Sequence, residues 1–137
     1  MKPATRDDAL RLIAEAEKDV KDAEMLLRYE SYYPLCRLAY LAAEKALRGC
    51  LIGKGLHVAP QPTLSSLGQQ LEATEPALGP LMASLRPLER FAPPASAGEP
   101  QGASSPPPLY SREVAKEAIG LARHILIEVK RSLAGPS

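Results

Sequence analysis

Six charged residues carry most of the chemistry open to this chain of 137 residues: Arg37, Glu44, Lys45, Arg48, Arg86 and Arg90. Four of them fall in Tyr32 to Gly55, YYPLCRLAYLAAEKALRGCLIGKG, which reads as one helix with a divided surface. At about 100° per residue, Glu44 and Arg48 lie within about 20° of Arg37. Lys45 falls about 80° to one side and Tyr40 about 60° to the other. Glu44 precedes Arg48 by four residues, the better orientation for a helical ion pair. One reading of this line is a solvated face laced with pairs worth about 0.3–0.5 kcal/mol each. The other is a polar groove that meets a phosphate or an RNA backbone, with Arg37 and Arg48 as forked donors. Arg86 and Arg90 are spaced i, i+4. They share a face if their helix persists past Pro87, and they then either clamp an anion or act as two solubilising surface arginines.

Nothing else in the chain assembles into a catalytic or metal-binding pattern. His57 sits in a glycine-bounded loop, and His124 flanks the apolar stripe of the last helical segment. Neither has a Cys, Asp or Ser at triad-like or ligand-like spacing. Gly53 and Gly55 precede no Lys-Ser or Lys-Thr, so a phosphate-cradling glycine loop is excluded. Cys36 and Cys50 lie on one helix about 21 Å apart, too far to bridge each other or to share an ion. They read as small buried hydrophobes. No catalytic residue, metal ligand or cofactor is assigned.

Composition points the same way. The length suits a single domain over 1–137 with one core. Aromatics make up only 4%, so that core must be Leu and Ala at close range. A net charge of +1 argues against a strongly basic nucleic-acid binder and leaves room for a local basic patch. The chain has no apolar run long enough for a membrane span. Its start, MKPATRDDAL, lacks the apolar stretch of a signal peptide, so a cytoplasmic location is expected.

The elements that must position the charged residues are helical. Thr5 or Asp7 can cap a first helix in which Ala9, Ile13, Ala16, Val20, Ala23 and Leu27 recur at spacings of four and three, ending near Tyr29. Pro34 suits the first turn of the second helix, and Gly53 and Gly55 stop it. Thr63 caps a short third helix with Leu64, Leu67 and Leu71 inward. Leu78, Leu81, Leu85 and Leu88 suggest a fourth, kinked or split by Pro87. The segment 92–108, rich in Pro, Ala, Ser and Gly, reads as a flexible loop. Ser111 then caps a last helix with Val114, Ala118, Leu121, Ile125 and Val129 on one stripe. No stretch alternates as a strand should. The fold class predicted is all-α: an up-and-down antiparallel bundle of four to five helices.

Three segments in order resemble the HEPN family of small helical domains. Asp19-Val20-Lys21-Asp22-Ala23-Glu24-Met25-Leu26-Leu27 is similar to the first-helix pattern of that family. Ala42-Ala43-Glu44-Lys45-Ala46-Leu47-Arg48 is similar to its recurring Ala-Glu-Lys-Ala-Leu-Lys segment. Tyr110-Ser111-Arg112-Glu113-Val114-Ala115 resembles the start of its last helix. Two stretches depart: Pro62 stands where many relatives have a histidine, and Arg90-Phe91-Ala92-Pro93 matches their Arg-Tyr-Pro-Asp only in part. The resemblance implies a helical bundle that is often a homodimer. Some members are metal-independent ribonucleases using an Arg and a His with four to six residues between them. Eight residues separate Arg48 from His57 and eleven separate Arg112 from His124, so neither histidine fits. Other members partner a small nucleotidyltransferase, bind nucleotide, or form the toxin half of a toxin–antitoxin pair. The expected function is binding of a nucleotide, RNA or a nucleotidyltransferase partner, through Arg37, Glu44, Lys45, Arg48, Arg86 and Arg90. A ribonuclease of atypical geometry and a purely structural dimerisation module are the alternatives.

Overall fold

The protein is described by a computed structural model over residues 3–60, 62–92 and 110–135. The loop expected at 92–108 falls almost wholly outside these residues. Five α-helices make up the described fold: α1 (Pro3–Arg28), α2 (Tyr32–Gly53), α3 (Leu64–Thr74), α4 (Leu81–Glu89) and α5 (Arg112–Ala134). A single 3₁₀ turn, Pro76–Leu78, joins α3 to α4, and no strand occurs among the described residues. The predicted all-α bundle is the fold observed.

Local chemistry sets most helix ends. Thr63 caps α3 by accepting from the Ser66 backbone N–H at 3.0 Å, and Ser66 Oγ returns the contact by accepting from the Thr63 N–H at 3.0 Å. Ser111 caps α5 by accepting from the Val114 N–H at 3.1 Å. The C-terminus of α2 closes on Gly55, whose φ of +77 lies in the left-handed region. Leu56 N–H donates to the Leu51 carbonyl at 2.9 Å and Gly55 N–H to that of Ile52 at 2.9 Å, satisfying two carbonyls the helix leaves free. Two expectations shift. The first helix starts at Pro3, ahead of Thr5 and Asp7, because proline is pre-set for a first helical turn. Pro87 does not split α4, which runs through it and ends two residues later at Glu89.

Ion pairs reveal the helix directions. Lys130 pairs with Glu17 at 2.5 Å and Arg123 with Glu24, so α5 descends as α1 ascends. Lys45 pairs with Asp19 at 2.9 Å across the antiparallel α1–α2 hairpin. It follows that α2 and α5 run in the same sense, and α3 and α4 carry the chain back between them. Helix α2 is the central element. Leu35, Cys36, Ala39, Ala42, Ala43, Ala46, Leu47, Cys50 and Leu51 are all fully buried, and Tyr40 nearly so. Burial covers a wider arc than the stripe read from spacing, which leaves α2 one narrow outward strip. Arg37, Leu41, Glu44, Lys45, Arg48 and Ile52 occupy it, each half-buried.

Candidate functional site

The start of α2, the end of α4 and the start of α5 meet at one end of the bundle. Arg37 projects from the second turn of α2, where its Nη1 donates to the Tyr33 hydroxyl at 2.9 Å. Its guanidinium also lies over the Tyr33 ring, 5.6 Å from the centroid. Tyr33 meets Tyr110 edge to face, with centroids 5.1 Å apart, and Tyr110 meets Phe91 at 5.9 Å. Arg90, the residue that ends α4, stacks its guanidinium on Phe91 at 4.8 Å. Two arginines therefore flank a run of three aromatic rings supplied by three elements.

Burial grades across this cluster. Phe91 is 2% exposed and anchors it, whereas Tyr33 is 51% exposed and opens it to solvent. Burial pushes the Tyr110 phenol above its ordinary pKa, with Tyr33 and Cys36 adding to the shift, while Arg37 and Arg90 both oppose it. Tyr110 thus feels both arginines. Burial pushes the Cys36 thiol beneath it up to about 11, against the pull of Arg90, so it is not a nucleophile at neutral pH. The Arg37 and Arg90 guanidiniums offer donors to an anion, and the exposed Tyr33 ring can stack a planar group.

The six charged residues singled out from sequence separate into distinct settings. Arg37 and Arg90 come together at the cluster. Glu44 and Arg48 lie further along the α2 strip, and Arg48 stands about 16 Å beyond Arg37, too far for both to hold one phosphate. The Glu44 carboxyl is raised above its ordinary pKa by burial, with Arg48 and Lys45 pulling it down. Arg48 Nε is buried without a hydrogen-bond partner among the described residues. Lys45 turns to α1, holding Asp19 at 2.9 Å and Glu15 at 3.7 Å. Arg86 is exposed on α4, one turn before Arg90.

The aromatic half of the cluster was not assigned from sequence. A signal existed: Tyr33 stands four residues before Arg37, and Phe91 directly follows Arg90. The histidines are elsewhere. His57 is exposed, and its backbone carbonyl accepts from Gln70 at 2.9 Å. His124 is exposed on α5 and lines a groove of about 180 Å³ with Leu78, Leu81 and Glu128. No group of three or more His, Cys, Asp or Glu side chains gathers to hold a metal among the described residues.

Comparison with known proteins agrees with this architecture. The HEPN domain family matches residues 9–132. An archaeal HEPN homologue of known crystal structure shares the fold, with a TM-score of 0.72 and 24% identity over 97% of this chain and 99% of that one. No curated protein matches the sequence. Because the family match spans all five helices apart from their outermost ends, the chain belongs to the HEPN domain family.

Proposed function

We propose that this HEPN protein binds a nucleotide or single-stranded RNA at the Tyr33–Arg37–Arg90–Tyr110 cluster, without cleaving it. The observation that carries this reading is an arginine over the accessible Tyr33 ring with a second over Phe91, the two rings joined through Tyr110. Arg37 and Arg90 supply charge-assisted hydrogen bonds to phosphate oxygens. The open face of Tyr33 stacks a base, a contact worth about 1–3 kcal/mol. Glu44 and Arg48 extend the polar strip along α2, and Arg86 adds positive charge beside Arg90. Lys45 contributes to the field of the strip while its ammonium stays with α1. Neither histidine belongs to the cluster, so the proton transfers of an Arg–His nuclease have no carrier there. The homodimer and the small nucleotidyltransferase partner implied by the family resemblance belong to the same proposal, the partner being the second component of a two-protein system.

Fluorescence anisotropy with a labelled oligouridylate, and competition by AMP, tests the reading. Arg37→Ala and Arg90→Ala should each weaken binding about tenfold, as expected for a lost charge-assisted bond. Melting temperatures should barely move, because both side chains are partly exposed. Incubation with RNA in the absence of added metal should leave the RNA intact. Unchanged affinity in both variants would make the cluster a packed helix end and nothing more.

A further inference from the structure

We infer that Glu117 is a built-in competitor for the anion at Arg90, setting the affinity of the proposed site; this rests on the reading above. Arg90 has two contacts of different kinds. The face of Phe91 orients its guanidinium plane at 4.8 Å. The Glu117 carboxylate faces Arg90 Nη2 at 3.8 Å, and the two side chains are 45% and 58% exposed in the order Arg90, Glu117. A good charge-assisted bond closes to about 2.7–2.9 Å. Glu117 is therefore near enough to attract the guanidinium and too far to satisfy its donors. Phe91 holds Arg90 in place, and Glu117 keeps its charge occupied loosely.

Glu117 sits in the second turn of α5, one turn after Glu113. Both are exposed, but the ion pair to Arg90 involves Glu117. An incoming phosphate offers Arg90 shorter bonds than Glu117 does, so it displaces the carboxylate. Part of the binding free energy is spent on that exchange, and ligands with a single weak negative charge gain less from it than a phosphate dianion.

The test uses the full chain and a labelled oligouridylate at low and high salt. Glu117→Gln should tighten binding by about 1.5- to five-fold, the range for an exposed pair, and the gain should shrink at high salt. Glu113→Gln removes the same charge one turn earlier and should give a smaller gain. In the Arg90→Ala background, Glu117→Gln should give no gain, because the competition has lost its object. Equal gains from the two glutamates, or a Glu117 gain that survives without Arg90, would overturn the inference in favour of a general field effect. No change on Glu117→Gln in a wild-type protein that binds would overturn it as well. Absence of binding by the wild type would instead overturn the functional reading itself.

Discussion

Glu44 and Glu75 are two carboxylates with opposite electrostatic fates. Lys54 and Ser132 donate to Glu75 Oε1 at 2.7 and 2.8 Å, which holds its carboxyl below the ordinary range. Glu44 is raised instead, chiefly because burial disfavours its charge. A raised carboxyl binds its proton more tightly in the folded chain than in the unfolded one. The stability of the fold is then unpenalised below the ordinary carboxylate pKa and is lost as pH rises from there through the raised value. Glu44→Gln should therefore gain in melting temperature relative to wild type as pH is raised from 4 to 7. Thermal melts across that range check this, and a difference that stays constant with pH would contradict it. Glu44 was legible as a member of a charged line, but its desolvation was not. Spacing on one helix places a residue on a face; how deeply neighbouring helices wall in that face is a property of their packing.

At the scale of the element, α1 ends with a strained residue. Glu30 has φ +57, and Glu30 N–H and Ser31 N–H close on the carbonyls of Leu27 and Leu26 at 3.2 and 3.1 Å. This is the helix stop that α2 makes with Gly55, built here on a residue that pays a steric penalty for it. Glu30→Gly should raise stability by about 0.5–1 kcal/mol, the relief of strain exceeding the added freedom of the unfolded chain. Denaturant melts check it. Two helical glycines separate packing from propensity. A Cβ at Gly68 would lie 2.5 Å from Leu85 Cδ1 and 2.6 Å from Met82 Sδ, whereas a Cβ at Gly120 would meet nothing within 4 Å. Gly68→Ala should cost about 1–3 kcal/mol by overpacking α3 against α4. Gly120→Ala should add about 0.5–1 kcal/mol by propensity alone. A gain in both would mean that α3 and α4 are looser than they stand here.

Elements were largely readable from sequence because their signals are local. Ser111 and Thr63 cap the helices they were expected to cap, and the Gly53–Gly55 stop holds. The helix continues through Pro87 without splitting because proline late in a short helix loses only one hydrogen bond, that to the Ala83 carbonyl, a cost the burial of Leu85 and Leu88 offsets. The candidate site was half readable. Arg37 and Arg90 are visible as exposed-type charges, but Tyr33, Phe91 and Tyr110 come from three separate elements, and only the tertiary fold stacks them.

The whole molecule has a core built chiefly of Leu and Ala, and among the described residues a few large apolar side chains stand outside it. Leu10, Met25, Tyr29, Tyr33 and Ile127 are each more than half exposed. Ile127 lies between Arg123 and Lys130, which are paired to Glu24 and Glu17 of α1, so ion pairs frame it. Met25 and Tyr29 are different. They are one turn apart at the end of α1, 53% and 73% exposed, and Leu26 beside them is only partly buried. Two copies related by a two-fold axis would cover such a patch with itself, since an isologous interface matches each residue to its counterpart's surface. We therefore expect a homodimer with a helix-built interface that includes this end of α1. Sedimentation velocity at tens of micromolar should show a dimer. The double change Met25→Glu and Tyr29→Glu should shift it to monomer without lowering the melting temperature by the amount a core substitution would, because neither side chain fills the interior. A monomer in the wild type would overturn the dimer. A dimer untouched by the double change would place the interface on another helix face.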